Sequence, residues 1–243
     1  MRHDNWRIGA LLLGEQGSGK TTRERIWSDD LISWTRYNSY ALDTCLVFDR
    51  LGEPAWDGAG PVVDSIGAFN EACFELSLEL GLEHEALPRR VVVRAGMDPK
   101  AYRPFLNFAV DQGNVLLVIP EASDWFPSHK GQWPVNRIRG DITLDTLLRM
   151  GRHVPNRDGE LKHIHFITET QEAKGISPIL RNQSNFVACG AIEGENNLTW
   201  VRHNFGRDSR ELVERVQNLG SHEWITLRDK LGGGVPRPRL NSI

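Results

Sequence analysis

Residues 14–22 read Gly14-Glu15-Gln16-Gly17-Ser18-Gly19-Lys20-Thr21-Thr22, directly after the apolar run Ala10-Leu11-Leu12-Leu13. The pattern is G-x-x-x-x-G-K-[ST] between a buried strand and a helix, the setting of a phosphate-binding loop. Few architectures accommodate it. The strand must be covered on both faces, which calls for a parallel sheet wrapped by crossover helices. The glycines let successive backbone N–H groups turn inward around an anion. Lys20 places a positive charge on the β- and γ-phosphates. Thr21 offers a hydroxyl to Mg²⁺, and the helix that follows aims its first N–H groups at the phosphates. These nine residues are the candidate nucleotide site, with ATP and Mg²⁺ as the expected ligands.

The rest of the chain supports that architecture. Short apolar runs at residues 8–13, 45–48, 91–93, 115–119 and 163–168 read as buried strands. Residues 21–34, 65–82 and 100–110 carry apolar side chains at helical spacing. The expected fold is α/β, with a mostly parallel central sheet covered by helices on both faces. Further edge strands are expected at the C-terminal end, at residues 186–189 and 198–201. A helix over 208–218 and a late strand over 223–227 complete it. Residues 1–230 read as one P-loop domain. The Gly-, Pro- and Arg-rich residues 231–243 read as a flexible arm. Two stretches, 50–61 and 121–140, are long enough for functional loops.

A P-loop needs acid groups on a second strand. Val115-Leu116-Leu117-Val118-Ile119 runs into Pro120-Glu121. The common form is an apolar strand followed by Asp-Glu, so Pro120 stands where the first acid belongs. Glu121 is expected to polarise the water that attacks the γ-phosphate. The lost aspartate would leave Mg²⁺ with Thr21, phosphate oxygens and water. Asp49, at a neighbouring strand end, is the expected substitute carboxylate.

These segments together resemble the FtsK–HerA superfamily of ring-forming DNA-pumping ATPases. The resemblance spans roughly residues 7–205. It rests on the loop at 14–22, on Leu46-Val47-Phe48-Asp49-Arg50-Leu51-Gly52-Glu53, and on the acidic strand continuing into Ser123-Asp124-Trp125-Phe126-Pro127. It also rests on Gly151-Arg152-His153 followed by Ile164-His165-Phe166-Ile167-Thr168-Glu169-Thr170-Gln171 and by Ile179-Leu180-Arg181-Asn182-Gln183. It implies an arginine that serves the neighbouring subunit's site, with Arg152 the first choice and Arg181 the second. It also implies a γ-phosphate sensor at the end of the strand that follows Arg152, where a Thr-Gln pair is the family's form. Spacing favours Glu169 for that role and residue type favours Gln171. A chain little longer than the motor core resembles the genome-packaging ATPases of tailless, membrane-containing viruses. That implies a homo-oligomeric ring, a hexamer by expectation, acting on double-stranded DNA. It also implies a capsid or membrane-vertex partner, and residence in the host cytoplasm or on the virion.

Charge narrows the DNA contact. The formal net charge is −3, so a phosphate-binding surface must be local. Lys130, Arg137 and Arg139 are the expected DNA-binding residues. Trp125 and Phe126 beside them are better read as docking the loop on the core than as stacking on bases. Cys45, Cys73 and Cys189 sit in apolar stretches without a CxxC pair, which reads as reduced core thiols. His163 and His165 share a strand face but have no third ligand nearby, which favours a structural pair over zinc. No stretch is long and apolar enough to span a bilayer. Two other functions fit a P-loop: a kinase of a small substrate, and a nucleotide-dependent assembly switch that hydrolyses slowly.

Overall fold

The computed structural model describes residues 7–37, 42–83, 86–150, 155–160, 162–192, 194–205 and 209–240. In chain order, β1 (Gly9–Leu13) leads through the glycine loop into α1 (Lys20–Tyr37), and β2 (Thr44–Phe48) and β3 (Val62–Val63) precede α2 (Ile66–Leu80). β4 (Arg90–Val93), α3 (Arg103–Gln112), β5 (Val115–Ile119) and α4 (Ala122–Trp125) follow. A hairpin of β6 (Arg137–Arg139) and β7 (Ile142–Thr143) leads to α5 (Leu144–Met150). The last third holds β8 (Ile164–Thr170), α6 (Pro178–Gln183), β9 (Phe186–Cys189), α7 (Glu195–Phe205), α8 (Ser209–Gln217) and β10 (Ile225–Asp229).

Eight strands form one sheet in the order β10-β9-β1-β8-β5-β2-β4-β3. β1 pairs in parallel with β8 on one side and with β9 on the other, and β10 closes the sheet antiparallel to β9. Every residue of β1, β2, β4, β5, β8 and β9 is buried. This is why most of those segments read as near-continuous apolar runs and not as alternating ones; β8 departs from it, burying His165, Thr168, Glu169 and Thr170. β8 lies between the P-loop strand and the acidic strand. The strand ends that carry the candidate residues are therefore sheet neighbours.

By internal packing the chain divides into two compact units. One comprises Met1–Asp30, Pro120–Trp133 and Phe166–Ile243, the other Leu31–Ile119 and Pro134–His165. In the first, Trp27 of α1 packs on Phe186 with ring centroids 5.1 Å apart. In the second, Phe69 of α2 packs on Phe105 and Phe108 of α3. α2 starts at Ser65, whose hydroxyl accepts from Ala68 N–H, and ends at Gly81 in the left-handed region (φ 63°).

Three expectations need correcting. Residues 198–201 lie inside α7, not in a strand. A four-residue stretch such as Leu198-Thr199-Trp200-Val201 does not separate helix from strand, and here Leu198 and Val201 are buried three apart on a helix face. β9 is not an edge, because β10 pairs beyond it. The opposite edge is the two-residue β3, too short to leave a pattern. Finally, residues 231–240 are held along α1. Trp27 Nε1 donates to Pro236 O at 2.9 Å, and Arg239 pairs with Asp30 at 2.9 Å. The Arg237 guanidinium reaches Asp229 and the carbonyls of Leu231, Gly232 and Val235. Gly-Pro-rich backbone makes few regular hydrogen bonds, so its carbonyls remain open to side-chain donors.

Candidate nucleotide site

The loop between β1 and α1 turns at Gly17 (φ 80°) and Gly19 (φ 81°), left-handed conformations that favour glycine. It is stitched to the adjoining strand ends. Gly14 N–H donates to Thr170 O at 3.2 Å, and Glu15 N–H to Ala191 O at 2.9 Å. Ser18 O accepts from Trp224 Nε1 at 3.0 Å and from Arg23 at 3.1 Å. The Arg23 guanidinium lies 4.9 Å over the Trp224 ring and also reaches the carbonyls of His222 and Leu240. The loop backbone is thus fixed from both sides. Within it, the Lys20 ammonium donates to Gly14 O (2.9 Å) and Glu15 O (2.8 Å).

Acids converge on this lysine. Glu169, buried on β8, has Oε1 3.5 Å from Thr21 Oγ1. Glu24, one turn beyond Lys20 on α1, is fully buried, and neither carboxylate oxygen has a hydrogen-bond partner. Burial first, then the charge of Glu169, pushes the Glu24 carboxyl well above the usual carboxylate range, against the opposite pull of Lys20.

Glu121 follows Pro120 at the end of β5 and takes φ 56°, ψ 74°. A left-handed glutamate is uncommon and costs on the order of 1–2 kcal/mol. Ser123 Oγ donates to its Oε1 at 2.7 Å, and Thr170 Oγ1 lies 3.4 Å from the same oxygen. Strain held by two hydroxyls points to a functional carboxylate. All of these groups belong to the first unit.

The residues suit the expected ligands. The loop turns through two left-handed glycines and carries the Lys20 ammonium, the elements a phosphate would use. Thr21, Glu169, Glu24 and Glu121 are hard oxygen donors of the kind Mg²⁺ selects. No three His, Cys, Asp or Glu side chains form a ready metal cage among the described residues.

Other expected site residues lie elsewhere. Gln171 is exposed, and its carbonyl accepts from Asn197. Asp49 is buried in the second unit, where Oδ1 accepts from Glu53 N–H (2.9 Å) and Oδ2 from Arg94 (2.8 Å). A metal role for Asp49 requires that pair to open. Arg152 lies outside the described residues. Burial lowers the Arg181 pKa, and its guanidinium makes one long hydrogen bond, to Asn182 (3.4 Å).

Trp125 and Phe126 are fully buried, and Trp133 packs edge-on to Phe126 and donates to Pro127 O. They dock the loop and are not accessible to bases. Lys130 and Arg137 are exposed, and Arg139 pairs with Asp111. His163 and His165 have ring centroids 5.9 Å apart, and His165 is buried.

No family model matches the sequence, and no curated protein matches it. Solved structures do. The genome-packaging NTPase B204 from Sulfolobus turreted icosahedral virus 2, in complex with AMPPCP, is 18% identical, with 91% of this chain and 92% of that one covered and a TM-score of 0.59. The same protein with sulfate gives 18% identity, 91% coverage of each chain and a TM-score of 0.60. With ATP-gammaS the identity is 19%, the coverage 93% and 92%, and the TM-score 0.55. The chain has the fold of this P-loop NTPase.

Within that P-loop fold, sequence reasoning passed over Arg23, Glu24, Ser123, Thr170 and Trp224. Glu24 carried a signal, since four residues after Lys20 on a helix is the same face. Trp224 carried none, because its contact with Ser18 spans most of the chain.

Proposed function

We propose that the chain is an ATP hydrolase of FtsK–HerA type that drives double-stranded DNA into a viral capsid as a hexameric ring. The observation that carries the reading is the link, within one unit, from the loop to Glu121: Gly14 N–H donates to Thr170 O, and Thr170 Oγ1 lies 3.4 Å from the oxygen of a left-handed Glu121 that Ser123 also holds. A phosphoryl group cradled by the loop would sit between the lysine and the carboxylate that takes a proton from water. The likeness to a packaging NTPase over 91% of the chain supports the cargo.

In this reading the loop N–H groups and Lys20 hold the β- and γ-phosphates, with little reorganisation because Arg23 and Trp224 already fix the loop. Mg²⁺, bound at Thr21, supplies charge neutralisation. Glu121 orients the attacking water, and Ser123 and Thr170 aim Glu121. Glu169, beside Thr21, is better placed than Gln171 to sense the γ-phosphate. Arg152 of a neighbouring subunit completes the site, with Arg181 as the alternative. Lys130, Arg137 and Arg139 touch the DNA backbone, because a motor must pass every sequence. The ring works beside a capsid or membrane-vertex protein, in the host cytoplasm and on the virion. No described helix is long and apolar enough to cross a membrane.

The test is ATP hydrolysis by the purified chain against DNA concentration, at two salt levels, with the assembly size measured in parallel. Hydrolysis that rises with DNA of any sequence, in a ring, is expected. Phosphoryl transfer to a small acceptor would identify a kinase. Slow turnover that DNA cannot raise would identify a switch. Either result overturns the proposal.

A further inference from the structure

Glu24 has no role in the reading above, yet its environment is the least ordinary in the site. An unpaired carboxylate in the interior is costly, by several kcal/mol if ionised. Folded chains keep such a group neutral or give it a cation. Both Glu24 oxygens are buried without a protein partner, although Lys20 and Glu169 are close enough to act on its charge.

Three facts say what the group is for. Pro120 occupies the position at the end of β5 where an acid would face the metal, and it has no side-chain oxygen. Asp49, the other strand-end candidate, already spends both oxygens on Glu53 N–H and Arg94. Glu24 instead lies on the helix that presents Thr21, three residues further on, and acts on the Glu169 that sits 3.5 Å from the Thr21 hydroxyl. Mg²⁺ binds through one or two carboxylates and retained waters plus phosphate oxygens. One turn beyond Thr21 on the same helix face, Glu24 is a buried acid without a hydrogen-bond partner next to the expected hydroxyl ligand of the metal.

We propose that Glu24, with Glu169, supplies the carboxylate that holds the Mg²⁺ hydration shell in place of the acid absent at Pro120. This rests on the nucleotide reading of the same site. The metal's acidic support has moved from the end of β5 to the P-loop helix itself.

The test is binding of a fluorescent non-hydrolysable ATP analogue to the full chain as Mg²⁺ is titrated, repeated with Mn²⁺ followed by its paramagnetic signal. Glu24→Gln should raise the half-saturating Mg²⁺ concentration about 10-fold or more, the usual cost of losing an outer support of a metal. Analogue binding in EDTA should not weaken. Glu24→Asp, which keeps the charge one methylene further back, should give a smaller shift. Pro120→Asp added to Glu24→Gln should recover the wild-type midpoint. Unchanged midpoints in both Glu24 variants overturn the proposal, as does failure of Pro120→Asp to restore a shifted one. If Lys20→Ala binds the analogue like wild type, the nucleotide reading itself has failed. If Lys20→Ala and Thr21→Ala behave as that reading requires and Glu24→Gln does not shift, only the role of Glu24 is lost.

Discussion

Two buried acids sit at the C-terminal ends of two parallel strands, one in each unit, and their surroundings differ. Asp49, just past β2, is neutralised where it stands: Arg94 pairs with one oxygen and the Glu53 N–H donates to the other. Arg94 also reaches Asp57, so the turn between residues 49 and 57 is closed by one guanidinium. Glu169, the penultimate residue of β8, faces the Thr21 hydroxyl, with Glu24 buried and unpaired nearby. One strand end is a finished structural joint. The other places Glu169 beside the Thr21 hydroxyl in the unit that also holds Glu24, whose two oxygens have no hydrogen-bond partner. An acid with its partners in place stabilises a turn, and an acid without them is available to a ligand.

The largest effect expected from this contrast is at Lys20. Lys20→Ala removes the cation among the acids and should abolish ATP turnover while the chain stays folded. Wild-type rates in a folded variant would break the assignment. Next is Glu121→Gln, which should keep nucleotide binding and lose about 10²–10⁴-fold in hydrolysis, the usual worth of a positioned base. Single-turnover rates measure it, and an unchanged rate would move the base elsewhere.

Asp49→Asn and Glu24→Gln set the two strand ends directly against each other. Asp49→Asn should cost about 1–2 kcal/mol in urea unfolding, because a charged hydrogen bond to a partly exposed Arg94 is lost. Its Mg²⁺ midpoint should not change. Glu24→Gln should show the reverse, with no loss of stability and a shifted midpoint. If the Mg²⁺ effect appears in Asp49→Asn instead, the joint opens in the working protein and Asp49 is the metal's acid. The smallest effect is expected at the tail. Arg239→Ala removes an exposed pair with Asp30 and should cost under about 1 kcal/mol in the same unfolding measurement. A larger loss would make the tail's hold on α1 a main support of the P-loop helix.

The buried strands were plain in the sequence because a parallel strand covered on both faces is a continuous apolar run, as in Leu11-Leu12-Leu13 and Val115-Leu116-Leu117. Residues 198–201 were misread because so short a stretch fits either period, and only the buried Leu198 and Val201 on one helix face decide it. The tail was misread because composition reports what a segment lacks within itself. It does not report that Trp27, Arg237 and Arg239 supply the missing hydrogen-bond donors and charges. Trp125 and Phe126 were correctly assigned to the core, because large aromatics in a long loop gain more from burial than from water.

By itself the sequence determined the mostly parallel α/β sheet and marked the phosphate loop, with Lys20, Thr21 and Glu121 as the candidates for its chemistry. Those features are local: a motif of fixed spacing, and runs whose period depends on burial alone. Only the tertiary structure decided which other acids belong to the site. Glu169 and Asp49 look alike as strand-end carboxylates, and nothing local distinguishes them. The strand order sets β8 beside β1, and Arg94 is placed where it closes on Asp49. Whether a carboxylate is spent or available depends on cations and N–H groups distant in the chain, and those meet it only when the chain has folded.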